Sequence, residues 1–79
     1  MNLGNFFGAA VRRHRELLRL SQEELAARAG IDRTYISGVE RSVRNPTLEV
    51  MQRIARALGS DLDVIFATAR ELASAAEDN

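Results

Sequence analysis

Cysteine is absent from this 79-residue sequence, which excludes a disulfide framework and fits a reducing compartment. With one histidine, His14, and no cysteine there are too few ligands for a zinc site, and the histidine has no evident nucleophile to serve. No cofactor, metal or enzymatic activity is expected, and His14 reads as a surface or packing residue of the first helix. No apolar run approaches the roughly 20 residues that span a bilayer. The opening Met1-Asn2-Leu3-Gly4-Asn5 lacks the basic start and long apolar stretch of a secretory signal. A soluble, cytoplasmic chain with no membrane partner is expected. Lysine is missing as well, since all eleven basic residues are arginine. Arginine suits bidentate contact with phosphate or guanine edges, although the codons of a GC-rich genome would give the same count.

Net charge is also missing, and a zero balance argues at first against a nucleic-acid partner. The average conceals a division. From Arg12 to Arg56 ten arginines face six acids, a balance of +4, whereas from Ala57 onward Arg70 faces five acids, a balance of −4. The two parts are expected to do different work. Length allows one domain over residues 1–79, and a chain this short buries only roughly 60% of its unfolded surface. Without a disulfide or metal, self-association is the remaining way to enlarge its core, so a homodimer is expected.

What the sequence has in quantity is apolar residues at helical spacing, with no alternating β-branched run, and this predicts an all-α fold of five helices. Helix 1 is predicted from about Phe6 to Arg19, with Phe7, Val11, His14 and Leu18 on one stripe. Helix 2 starts at Ser21, where Ser21-Gln22-Glu23-Glu24 has the form of a capping box, and ends at Gly30. Asp32 is the expected N-cap of helix 3, which runs to about Arg41. Ser42-Val43-Arg44-Asn45-Pro46 breaks the pattern. Helix 4 carries Leu48, Met51, Ile54, Ala55 and Leu58 and stops at Gly59. Helix 5 is predicted to be capped by Ser60 and to continue through Leu62, Ile65, Phe66, Ala69, Leu72 and Ala73, with Ala75 to Asn79 fraying.

Helices 2 and 3 have the ingredients of a helix-turn-helix: small Ala26 where two backbones meet, Gly30 in the turn, and Leu25, Ala29, Ile31, Ile36 and Val39 as apolar anchors. An ordinary helical hairpin would share these. Arg33, Thr34, Ser37, Gly38 and Arg41 on the outward side of helix 3, all short or planar hydrogen-bonding groups, favour the DNA-reading form.

Residues 8 to 66 resemble the Cro/repressor-type (XRE) helix-turn-helix domain of bacteria and phages. The resemblance rests on Gly8, Val11-Arg12, Arg15, Ser21-Gln22-Glu23-Glu24-Leu25-Ala26, Gly30, Tyr35-Ile36-Ser37, Glu40, Pro46-Thr47-Leu48 and Ala55-Arg56-Ala57-Leu58-Gly59. Within this span, Asp32 to Arg41 followed by Arg44-Asn45-Pro46-Thr47 closely resembles the controller (C) proteins of restriction-modification systems. Arg19 departs from the pattern, because many family members have glycine between helices 1 and 2. The resemblance implies a lambda-repressor-like DNA-binding domain. It also implies a transcriptional regulator that activates its own gene and an endonuclease gene, then represses as dimers accumulate.

In such domains the start of helix 3 points at base edges. Arg33 is the first candidate for reading guanine, with a phosphate contact as the alternative; Thr34 and Ser37 can bond base or phosphate. Tyr35 either touches the DNA or packs half-buried beside Ile36. Gly38 suits close approach to DNA or tight packing. Gln22 at the start of helix 2 can hold a phosphate. Arg44 and Asn45 are implied by the resemblance to reach DNA, and Thr47 either donates to a phosphate or caps helix 4. Arg15 and Glu40 correspond to a structural ion pair. Leu62, Ile65, Phe66 and Ala69 are the expected dimer interface, placing two copies of helix 3 about 34 Å apart on a pseudo-palindromic double-stranded operator. Glu23 and Glu24 can meet the sigma factor of RNA polymerase or merely complement the helix dipole. A phage-type repressor, an antitoxin, and a protein-interaction module without DNA readout stand as alternatives.

Overall fold

The computed structural model describes residues 3–77, and among these there are five helices and no strand. They are α1 (Leu3–Leu17), α2 (Gln22–Ala29), α3 (Arg33–Glu40), α4 (Leu48–Ala57) and α5 (Leu62–Glu77). Each helix contributes a stripe to one core: Phe7, Ala10 and Val11 from α1, Leu25 and Ala26 from α2, Ile36 and Val39 from α3, Ile54 and Ala55 from α4, Ile65 and Ala69 from α5. The longest helices, α1 and α5, pack side by side. The Phe7 and Phe66 rings meet at 5.6 Å with a 45° tilt.

His14 lies in the same seam. The Thr68 hydroxyl donates to the Val64 carbonyl, so the His14 Nε2–H donates to Thr68 Oγ1 across 2.8 Å. The imidazole is thereby a packing strut between α1 and α5.

Helices α1 to α4 all end in one kind of turn, in which two successive N–H groups fold back on carbonyls of the last turn. The bonds run from Arg19 and Leu20 to Glu16 and Arg15, and from Gly30 and Ile31 to Ala27 and Ala26. They run likewise from Ser42 and Val43 to Val39 and Gly38, and from Gly59 and Ser60 to Arg56 and Ala55. The turn needs a left-handed residue, which Gly30 (φ 67°) and Gly59 (φ 68°) supply without strain. Arg19 (φ 57°) and Ser42 (φ 61°) adopt it with a Cβ.

This turn accounts for several departures from the sequence reading. Helix α1 starts earlier than Phe6 and stops at Leu17, two residues before Arg19. Once the chain swings through Arg19, Leu20 fills the core position expected for Leu18, which is 49% exposed. Ser60 belongs to the end of α4; α5 begins at Leu62, and the Asp61 carbonyl accepts its first bonds from Val64 and Ile65. The tail expected to fray from Ala75 is helical to Glu77, with Asp78 and Asn79 outside the described residues. Replacing Arg19 by glycine relieves the left-handed strain at some cost in unfolded-state entropy. A net gain of about 0.5–1 kcal/mol is expected, seen as a rise of ~3–6 °C in thermal midpoint; an unchanged or lower midpoint would contradict it.

Candidate nucleic-acid interface

The α2–turn–α3 unit is fixed at both ends of α2. Ser21 Oγ accepts from the Glu24 N–H at 3.0 Å and the Glu24 carboxylate accepts from the Ser21 N–H at 2.9 Å. Hydrogen bonding to the backbone N–H of Ser21, and secondarily to its hydroxyl, holds the Glu24 carboxyl below its ordinary range. At the other end Arg53, reaching over from α4, donates Nη2 to the carbonyls of Ala29 (3.0 Å) and Gly30 (2.8 Å). Arg53 had no mark in the sequence, because nothing in its spacing shows that an α4 side chain reaches the turn between α2 and α3.

Helix α3 is held by its inner side. Ile36 and Val39 are buried, and Glu40 receives three donors: Arg15 Nε at 2.7 Å, Arg15 Nη2 at 3.0 Å and Gln22 Nε2 at 3.0 Å. The Arg15 guanidinium also donates to the Leu20 carbonyl at 2.8 Å. Hydrogen bonding to Glu40 outweighs desolvation and raises the Arg15 pKa, so the guanidinium keeps its charge. Where α1 crosses α3, a Cβ at Gly8 would overlap the Val39 carbonyl oxygen, so the spacing of the two helices depends on glycine there.

The outward side of α3 is left to solvent. Arg33, Thr34 and Arg41 are exposed and Ser37 is half-exposed between them. Asp32 occupies the N-cap position with extended backbone but makes no side-chain cap; its carboxylate accepts from the Thr34 hydroxyl at 3.1 Å instead. Tyr35 is half-buried at the edge of this face, with the Arg44 guanidinium 5.9 Å above its ring. Asn45 is exposed in the loop beyond, and Thr47 caps α4 by accepting from the Val50 N–H at 3.2 Å. Gln22 sits at the start of α2 but spends an amide N–H on Glu40. Arg33, Thr34, Ser37, Tyr35 and Arg44 therefore share one surface, with Gln22, Asn45 and Thr47 at helix starts and in the loop. That surface can donate hydrogen bonds from two guanidinium groups and the Ser37 hydroxyl to an anionic, acceptor-rich partner, while the Thr34 hydroxyl, its proton on Asp32, can accept.

The four residues expected at a dimer interface separate. Ile65 and Ala69 lie wholly inside the core of this chain, because α5 turns that stripe toward α1, and they are not available to a second copy. Leu62 and Phe66 are half-exposed, and Phe66 lines a groove along α5 with Asp63, Ala67, Arg70, Glu71 and Ser74. Among the described residues no cluster of His, Cys, Asp or Glu is suited to a metal ion, and no helix is long and apolar enough to cross a membrane.

A sequence model described as helix-turn-helix matches residues 11–65. An uncharacterized HTH-type transcriptional regulator of Mycobacterium tuberculosis is 37% identical over 62 residues, covering 78% of this chain and 44% of that protein. The chain thus spans less than half the length of that relative. Control protein C.SmaI of Serratia marcescens is 40% identical over 62 residues, 78% of this chain and 74% of its own. Among solved structures, the restriction-modification controller protein C.Esp1396I, as a tetramer in complex with its natural 35 base-pair operator, superposes with a TM-score of 0.82. It is 31% identical, and the match covers 90% of this chain and 93% of that one.

Proposed function

This chain belongs to the helix-turn-helix family, and from that membership we propose that it is a sequence-specific, double-stranded-DNA-binding transcriptional regulator of the restriction-modification controller type. The observation that carries the proposal is the outward face of α3. It presents Arg33, Thr34 and Ser37 while its inner side is locked to α1 and α2 through Arg15, Glu40 and Gln22. A rigid helix with a planar donor at its N-terminal end is what major-groove reading requires. Arg33 reads a guanine, Thr34 and Ser37 bond base or phosphate, and Gln22, Tyr35, Arg44, Asn45 and Thr47 complete the contact. Controller action follows the likeness to C.SmaI and C.Esp1396I: activation of its own and an endonuclease gene, then repression as protein accumulates.

The proposed functional unit is a homodimer of a single 79-residue domain in the cytoplasm, paired through α5 on a pseudo-palindromic site. Pairing two copies antiparallel about a point between Phe66 and Ala67 sets Asp63 of each copy opposite Arg70 of the other, with Phe66 against Ala67. The Asp63 and Arg70 positions are thus complementary to themselves in charge, as a two-fold interface requires. Any contact with a sigma factor falls to Glu23, since the Glu24 carboxylate is committed to Ser21.

The test is a gel shift with duplexes enriched by the protein from a random-sequence library and with DNA upstream of its own gene, at two salt concentrations. Wild type is expected to shift both, with affinity falling steeply as salt rises. Arg33→Ala should lose about 1–3 kcal/mol, with discrimination relaxed at one guanine. Equal binding by Arg33→Ala and wild type would remove the readout assignment.

A further inference from the structure

Position 38 lies on the part of α3 that turns away from the core. At 3.6 residues per turn it sits about 40° around the helix from Thr34, on the side opposite buried Ile36. A residue there ought to be exposed, yet Gly38 is buried. Its cover comes from the chain itself. Helix α3 ends in the left-handed turn at Ser42, and the N–H groups of Val43 and Arg44 both donate to the Gly38 carbonyl, at 2.9 and 3.2 Å. The loop is thereby folded back on the helix it has just left, and the Arg44 stem crosses Gly38 so closely that a Cβ would overlap its Cγ. From there the guanidinium extends to the face of the Tyr35 ring, one turn of helix earlier.

On the reading that α3 enters DNA, we infer that Gly38 is a specificity-determining position that acts by seating Arg44. The missing side chain is a slot across the recognition helix, and Tyr35 is the backstop at its end. Together they lay a loop arginine across α3 at Gly38 and Tyr35, so the helix reads with a second guanidinium that its own sequence does not contain. Tyr35 and Gly38 are positioning residues, and Arg44 makes the contact. The slot also orients Arg44 before DNA arrives, which spares the ordering of a long side chain on binding.

The inference separates two properties that a structural role would move together. Alanine is the better helix former, which offsets the cost of displacing the Arg44 stem, so Gly38→Ala should change thermal stability little. The same exchange evicts Arg44, and operator affinity should fall about tenfold, with weakened discrimination at one base pair per half-site. Arg44→Ala should reproduce that loss. In the double variant the losses should not add, because the slot has no purpose once its occupant is gone. Arg44→Lys should recover little, since an ammonium keeps the charge but not the planar stack.

Affinities would be read by fluorescence anisotropy on a duplex enriched by wild type from a random library and on its single-base variants. The inference is overturned if Gly38→Ala binds within about twofold of wild type while Arg44→Ala loses tenfold, if Arg44→Ala loses nothing, or if the two losses multiply. Failure of wild type to enrich any duplex is a different result, which removes the DNA-binding reading itself.

Discussion

Arg15→Ala is expected to lower stability by about 3–5 kcal/mol, as much as truncating a large core side chain, because it strands a buried charge. The two partners of the ion pair are not equally enclosed. The Glu40 side chain is 3% exposed and Arg15 12%. Without Arg15 the carboxylate keeps one donor, Gln22 Nε2; without Glu40 the guanidinium keeps the Leu20 carbonyl and some water. Arg15→Ala should therefore be worse than Glu40→Ala, although both remove the same contact. A domain of this size holds on the order of 5–10 kcal/mol in total. With a urea dependence of ~1 kcal/mol/M, the unfolding midpoint should drop by about 3–5 M, enough to leave the variant largely unfolded if the parent lies at the low end of that stability range.

Adding Glu40→Gln to Arg15→Ala removes the stranded charge and should return roughly half of the loss. Protein concentration must be the same throughout, because dimerisation adds to apparent stability. A loss under 1 kcal/mol for Arg15→Ala, or a double variant no better than the single, would show that water reaches Glu40. The pair would then contribute no more than a surface bridge.

The parts of this fold that were legible in the sequence are those specified by neighbouring residues. The Ser21–Glu24 box, the left-handed Gly30 and the small Ala26 between two helices are all written within a dozen positions. The left-handed turns at Arg19 and Ser42 were not, because neither residue type signals the conformation; tertiary packing of Leu20 and the fold-back onto Gly38 impose it. The apolar stripe of α5 was visible as a stripe. Periodicity states that a face is buried but not by what, so Ile65 and Ala69 read as a partner's surface although α1 already covers them. The same limit hid Arg53. Gly38 showed as an oddity in a helix, and its reason lay in a side chain six residues on, reachable only after the chain reverses.

The pairing of α5 makes the second large prediction, which uses exposed charges so that the core is left alone. Phe66→Asp would be ambiguous, since that ring also leans on Phe7. Asp63 and Arg70 are both exposed and line the groove. In an antiparallel pair Asp63→Arg sets arginine against arginine twice across the two-fold axis, and Arg70→Asp sets aspartate against aspartate twice. Either change should leave the helical content intact and shift sedimentation toward monomer. Binding to a two-half-site duplex should weaken about 100-fold or more, because the second α3 no longer arrives already tethered. Binding to an isolated half-site should barely change, as neither residue lies on the α3 face. The variant carrying both substitutions has the charges exchanged in place and should pair again, recovering dimer and operator affinity together. That recovery is the decisive observation: a dimer that survives either single reversal, or one that the double exchange does not restore, would place the two-fold axis elsewhere than between Phe66 and Ala67.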